Sequence, residues 1–357
     1  VELAKVINSG KYELWDKTAT MGPSSYGTNM QLAKSQNENW SDGSEEYEYL
    51  TLYRAEADFC DEFLLELDID GDMTTITSTE PYWFRAYMNW RKDEVNLPGN
   101  TTTASDGWGF INPTRTFGYA FAKHDGNSVR RRAAIATYSE VYHDFPYLNK
   151  DVRGVMSSML FENEGYFRMK YYDYVDDVVP ERFASGQTNG NRTNFPLMRY
   201  ADVLLLYAEA VCMSGEGTAN ISGLEALNKV RRRAGLTDAP ALDMDNAEYG
   251  IKAERRFELW LEDCSRYVDL IRWGDYKKFI TDTSIDGVSE HWGNECAWLV
   301  GLKDATKRTT DPTDWSNYEV RYDPLSTRGT WSDRFYLWPF PYAETTQNPN
   351  LVQNTGW

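Results

Sequence analysis

The stretch that most constrains this chain is Arg199 to Gly215, RYADVLLLYAEAVCMSG. Val203, Leu204, Tyr207, Ala208 and Val211 recur on a 3.6-residue period and make one wide apolar stripe, so the segment predicts a helix. Pro196 restricts the approach and Gly215 supplies the stop. A second stripe, Arg199, Asp202, Leu206 and Glu209, runs at i, i+3, i+7 and i+10. Charges that regular beside an apolar face read either as a solvated side or as ion pairs inside a helical layer.

The residues that follow extend the pattern. Ser222 to Ala234, stopped at Gly235, predicts a second helix across a short Gly-rich turn, and such a pair is a tetratricopeptide-like hairpin. Tyr249 to Cys264 and Tyr267 to Ile280 predict a second pair. On the first of these, Ala253, Phe257, Trp260, Leu261 and Cys264 form the apolar stripe, and Arg255, Glu258 and Glu262 the charged one. Charges in phase with apolar faces on three helices predict that Arg199, Asp202, Glu209, Arg255, Glu258 and Arg272 are partly buried and paired. Two stacked pairs would bury a continuous core.

The rest is less periodic. Val1 to Ile7 reads as the end of a helix without an N-cap, closing at Asn8-Ser9-Gly10, so an N-terminal portion is expected to precede it. Residues 11–50 read as ordered but irregular, with Trp15, Tyr26 and Trp40 among Gly, Asn and Ser. Phe63 to Ile69 has the length and flanks of a buried strand. Asp68, Asp70, Gly71 and Asp72 suggest a calcium loop, but the glycine is misplaced for an EF-hand and the ligand series stops, which leaves an acidic turn and no expected cofactor or metal. Arg130, Arg131 and Arg132 read as a solvated or acid-paired run. Residues 282–332 read as loop containing Trp292, Trp298, Trp315 and Trp331. The tail from Leu337 to Trp357, broken by Pro339, Pro341 and Pro349, excludes a long helix. Loops this long must pack on the helices to be ordered, which predicts one domain over 1–357, with helical pairs at about 197–280 and loop-rich faces at about 11–195 and 282–332.

Charge and composition exclude several functions. The formal net charge of −18 argues against a nucleic-acid partner, and no apolar run is long enough to span a membrane. Cys60, Cys212, Cys264 and Cys296 form no metal-binding spacing, and Cys212 and Cys264 read as small buried hydrophobes. The sequence lacks G-x-S-x-G, P-loop, G-x-G-x-x-G and H-E-x-x-H patterns. His124, His143 and His291 are isolated and read as surface or loop residues. Glu162 and Glu164 are candidates for a glycosidase pair, but 55 acidic residues supply many such pairs by chance. A hydrolase and a protein-binding helical scaffold remain as alternatives to a ligand-binding protein.

Aromatic residues make up 15% of the chain, and many lie outside periodic segments, where they either bind ligand or pin loops. Tyr82, Trp83, Tyr87, Trp90 and Trp108, with Arg85, Asn89 and Asn112, are the candidate ligand site. A sugar presents an apolar C–H face and a hydroxyl rim, which suits a flat ring with amide or charged groups at its edge.

Several segments in order carry a family resemblance: INSGKYEL near the start, RYADVLLLYAEA, LNKVRRRAGL at Leu227, ERRFELWLED from Glu254, DLIRWGDY from Asp269 and the terminal LWPFPYAETTQNPNLVQNTGW. Together they resemble the RagB/SusD family of outer-membrane nutrient-binding lipoproteins. The resemblance implies a mainly α fold, an α-α superhelix of tetratricopeptide-like helix pairs with long irregular loops and a few short strands. It implies non-catalytic capture of a glycan, or in some members a peptide, at the cell surface, and delivery to a TonB-dependent SusC-like transporter. Lipid anchoring to the outer membrane would come from an N-terminal cysteine outside this sequence.

Overall fold

A computed structural model describes residues 1–21, 46–68, 109–144, 164–171, 193–262, 265–281, 295–324 and 332–357. Ten α-helices and eight short strands lie among the described residues. The helices are α1 Glu2–Asn8, α2 Arg115–Asp125, α3 Val129–Ala134, α4 Tyr138–Asp144, α5 Tyr200–Ser214, α6 Gly223–Arg233, α7 Ile251–Glu258, α8 Ser265–Arg272, α9 Tyr276–Thr281 and α10 Tyr342–Gln347. The strands are β1 Thr18–Met21, β2 Tyr47–Leu50, β3 Phe63–Leu67, β4 Ile135–Thr137, β5 Tyr166–Arg168, β6 Phe195–Arg199, β7 Glu295–Leu302 and β8 Tyr318–Pro324.

Helix α5 is the centre of the helical layer. Gly215 ends it in the left-handed region at φ 75°, and its amide donates to the Val211 carbonyl. Val203, Leu204, Leu205 and Ala208 are completely buried, and burying each larger side chain is worth about 1.5–3 kcal/mol. They pack with Ala226, Leu227 and Val230 of α6, Ile251 of α7, and Ala4 and Ile7 of α1. Helix α6 starts where Ser222 Oγ accepts from the Glu225 amide, an N-cap worth about 1 kcal/mol. The mainly α, tetratricopeptide-like architecture is therefore present, with α5–α6 as its best-formed pair.

The second pair departs from its expected boundaries. Helix α7 ends at Glu258, six residues short of the expected Cys264, and Leu261 takes φ 62°. Past this break the Glu262 carboxylate enters a buried cluster of cations. The expected helix over 267–280 is two helices, α8 and α9, parted where Gly274 adopts φ 74°. Of the apolar stripe expected on α7, Phe257 is buried while Ala253, Trp260 and Leu261 are only half-buried. Glu254, Arg255 and Glu258 of the same helix are buried.

All strands pair antiparallel in four two-stranded sheets. β1 pairs with β2 within a region expected to be irregular, where Tyr47 and Tyr49 point to one face and enter the core. β3 pairs with β6 through an irregular register and is not the buried strand its sequence suggests. Leu65 and Leu67 are exposed, while Phe63 and Leu64 are half-buried against the cores. β4 pairs with β5. The expected loop after residue 282 contains the β7–β8 hairpin, whose Leu299 and Tyr318 join Tyr138, Phe167 and Met169 in a second core.

Ring contacts show what many aromatics outside the helices do. Trp315 donates to the Tyr166 hydroxyl at 3.2 Å, and Arg115 lies over its ring. Trp15 donates to Thr51 Oγ1 at 3.1 Å. Trp260 stacks on Phe117 at 4.9 Å. These rings pin loops and elements together.

Candidate functional site

The sequence-predicted ligand site falls mostly outside the described residues: Tyr82, Trp83, Arg85, Tyr87, Asn89, Trp90 and Trp108 all lie there, as does the acidic turn beyond Asp68. Asn112 is described. Its amide nitrogen donates to the Gly109 carbonyl at 2.6 Å, closing a turn in which Gly109 takes φ 69°. That turn leads into α2, where Thr114 Oγ1 accepts from the Phe117 amide and Glu164 accepts from the Arg115 amide at 2.8 Å. Glu164 is thus a partner of a helix N-terminus, where a carboxylate is favoured. The near edge of the predicted site is anchored on a capped helix, and Phe110 beside it is exposed.

The charged residues singled out on α5, α7 and α8 do come together, in two ion clusters. In the outer one, Arg255 reaches Asp202 at 2.6 Å and Asp269 at 2.8 Å. Arg272 holds Glu209, which also accepts from the Trp273 indole at 2.9 Å.

The inner cluster is larger and buried. Arg199 donates to Glu262 at 2.7 Å, to Glu258 at 2.9 Å and to Glu62. Arg233 contacts Glu62 at 3.1 Å and Glu258. Lys170 reaches Glu262, which also accepts from the Tyr53 hydroxyl at 3.0 Å. Arg130 grips Asp125 through two bonds of 2.8 Å and reaches Glu254 at 2.8 Å, and Arg231 meets Glu254 from α6. Nearby, Arg131 makes a two-pronged contact with Glu140 at 2.6 and 2.8 Å. The arginine run is therefore acid-paired at Arg130 and Arg131.

Sequence reasoning missed Glu62, Asp125, Arg130, Lys170, Arg231, Arg233 and Glu254 as members. The signal for Glu254 was there: Glu254, Glu258 and Glu262 repeat every four residues, a spacing that puts acids on one side of a helix. Glu62 and Lys170 carry no local signal, since they reach Arg199 and Glu262 from 137 and 92 residues away. Two histidine expectations are corrected. His124 sits in α2 with its side chain 3% exposed and Nδ1 2.7 Å from Asp125, and His143 is buried in α4. Both helices turn these positions inward, which isolated residues in a sequence do not disclose.

The electrostatics of the inner cluster is that of a scaffold. Burial alone would raise the Glu258 carboxyl, but Arg233, Arg199 and Arg130 outweigh it and hold it far below the usual carboxylate range. Glu262 is lowered in the same way against burial by Arg199 and Lys170. Burial pushes the Lys170 ammonium down to about 8 despite the pull of Glu262. A glycosidase acid needs a raised pKa, and these carboxyls are held the other way. Among the described residues no group of three His, Cys, Asp or Glu side chains is placed to hold a metal ion, and no helix is long and apolar enough to cross a membrane.

A mainly α helix-pair protein with strand-bearing loops held by buried arginine–carboxylate clusters is the class this geometry defines. The chain belongs to the SusD family, whose sequence model matches residues 135–357. A SusD-like protein of Bacteroides ovatus is 28% identical over 164 residues, covering 44% of this chain and 28% of that protein. The fold is similar to a SusD-like protein of Bacteroides fragilis, with TM-score 0.60 and 20% identity over 99% of this chain and 60% of that one. It is also similar to surface glycan-binding protein A of Bacteroides fluxus, at TM-score 0.52 and 22% identity over 100% and 57% of the two chains. The same-named protein of Bacteroides thetaiotaomicron, solved in complex with laminarihexaose, gives TM-score 0.53 and 17% identity over 99% and 58%. This chain therefore spans well under two thirds of the length of these relatives.

Proposed function

We propose that this protein captures a glycan at the bacterial cell surface without cleaving it and delivers it to a TonB-dependent SusC-like outer-membrane transporter. The observation that carries the reading is membership of the SusD family, with a fold shared by proteins named for surface glycan binding. The carboxylates of the buried clusters support the non-catalytic part, since they are ionised and sealed among arginines. Tyr82, Trp83, Tyr87, Trp90 and Trp108 serve as ring platforms, with Arg85, Asn89 and Asn112 at the edge. Outer-membrane location and a lipid anchor follow from the family resemblance.

Isothermal calorimetry against a panel of neutral glycans and peptides tests this. We expect at least one oligosaccharide to bind and its reducing ends to stay constant on overnight incubation. Joint alanine substitution of Trp83, Trp90 and Trp108 should abolish that binding. Binding of peptides alone, or release of new reducing ends, would replace the reading. Co-purification with a SusC-like transporter from outer membranes tests delivery.

A further inference from the structure

Arg130 and Arg131 have their acids, and Arg132 is the member of the arginine run left over. It is half-buried on α3, yet among the described residues it makes no hydrogen bond and no ion pair, and its Nε is buried without an acceptor. What it touches is a ring: the guanidinium lies 4.3 Å from the centre of Tyr47, a buried residue at the start of β2. A guanidinium stacked on a ring keeps its in-plane N–H donors for other partners. Burying a charge without a counter-ion is costly, so this position calls for an anion.

The surrounding charges sharpen that need. Burial lowers the Arg132 pKa most, Arg131 and Arg308 push it the same way, and the Glu140 carboxylate does not make up the difference. Glu140 is already held by both prongs of Arg131. Three guanidiniums therefore act on one committed acid, in a chain whose formal net charge is −18. Arg308 lies on the β7–β8 connection, which is tied down beside α3 and α4. The Thr309 amide donates to Ser139 Oγ at 2.8 Å, and Asn127 Nδ2 donates to the Thr310 carbonyl at 3.2 Å. Thr309 is itself buried with a hydroxyl that makes no hydrogen bond, so a further uncommitted donor stands next to Arg308 in the chain.

We propose that Arg132 and Arg308 form an oxyanion site that takes one sulfate, phosphate or carboxylate group. The terminal nitrogens of Arg132 donate two parallel N–H bonds to such a group, Tyr47 fixes the plane from which they donate, and Arg308 adds the second positive charge that attracts it. The anion is a free ion or the charged substituent of a sugar, since the same donors recognise both. The site stands on its own geometry and does not depend on the glycan-binding reading.

The test is calorimetry on the full chain at constant ionic strength, with inorganic sulfate, inorganic phosphate, acetate, a sulfated disaccharide and its unsulfated parent. We expect saturable binding of at least one anion, weakened about tenfold or more by Arg132→Gln, the scale of losing hydrogen bonds to a charged group. Arg308→Gln should weaken it as well, and Arg132→Lys should recover only part. Because R132Q removes an uncompensated cation, it should melt no lower than wild type in chloride, which separates lost binding from lost folding. The bound anion should raise the melting temperature of the wild type more than that of R132Q. Absence of saturable anion binding, or binding that R132Q leaves unchanged, overturns the inference. A melting temperature of R132Q well below wild type overturns it too, since the guanidinium would then have its partner inside the fold. Tighter binding of the sulfated disaccharide than of sulfate assigns the anion to a sugar, and binding of sulfate at least as tight assigns it to a free ion. Binding of the unsulfated parent, unaffected by R132Q, bears only on the glycan-binding reading.

Discussion

Arg199 faces three carboxylates that come from a turn before β3 and from the end of α7, and its side chain has no solvent contact. Its stability role follows from what its removal would leave behind. Arg199→Met would strand Glu62, Glu258 and Glu262 in the interior, and breaking a buried pair typically costs about 3–5 kcal/mol. Chemical denaturation should show a loss on that scale; a loss below about 1 kcal/mol would mean that Arg233 and Lys170 suffice without it. Arg199→Lys should recover little, because an ammonium cannot reach three acceptors with the planar fork. At this scale the sequence was partly legible. Arg199, Asp202, Glu209, Arg255, Glu258 and Arg272 stand in phase with apolar faces, and each is paired in the structure. Their partners Glu62 and Lys170 were not legible, since a carboxylate in a turn looks the same whether it meets water or a distant arginine.

At the scale of elements, the long apolar period of α5 and the Gly stops after α5 and α6 made those helices readable from the residues alone. Boundaries failed where the chain leaves the helical path at a left-handed residue, Leu261 at φ 62° after α7 and Gly274 at φ 74° between α8 and α9. The β7–β8 hairpin was missed although its strands are the longest described, because its connection over 303–317, rich in Asp and Thr, reads as loop. Much of the candidate ligand stretch carries no period at all, so its rings could be nominated by chemistry but not placed. Two glycines test how elements dock. Gly118 in α2 lies against Tyr166 of β5, and an added Cβ would stand 2.2 Å from that ring. Alanine there gains about 1 kcal/mol of helix propensity but forces the α2–β5 contact apart, an overpacking cost of about 1–3 kcal/mol. At Gly274 nothing lies within 4 Å of the added Cβ, so Gly274→Ala costs only the left-handed strain, about 1–2 kcal/mol. We therefore expect Gly274→Ala to remain folded with a modest fall in melting temperature. Gly118→Ala should also shift the near-ultraviolet signal of the packed rings. An unchanged ring signal with raised stability in Gly118→Ala would show that α2 does not press on Tyr166.

At the scale of the molecule, the inner cluster ties together parts of the chain far apart in sequence: the turn before β3, the residues just after β5, α3, α6 and α7 all send a charge into it. Its cost and its benefit both depend on ionisation, so it makes the whole fold sensitive to acid. Asp125, Glu140, Glu258 and Glu262 are held below their ordinary values; burial raises each, and the arginines beside them, joined by Lys170 at Glu262, lower them by more. A carboxyl whose folded pKa is lowered contributes stability that is present above its unfolded pKa and is lost as pH falls toward the folded one. The window therefore opens below the ordinary carboxylate values of 3.8 and 4.5. Each tenfold preference for the ionised form is worth about 1.4 kcal/mol, and total stabilities are only about 5–15 kcal/mol, so four such groups carry a large share of the stability. Far-ultraviolet circular dichroism should report constant helix from pH 8 to about 5 and cooperative loss between about pH 4 and pH 2. Because these pairs are enclosed, raising salt to about 1 M should move the midpoint little, whereas exposed pairs would be screened. Helix content that persists at pH 2, or a midpoint that follows ionic strength closely, would mean that the buried clusters do not govern the stability of the fold.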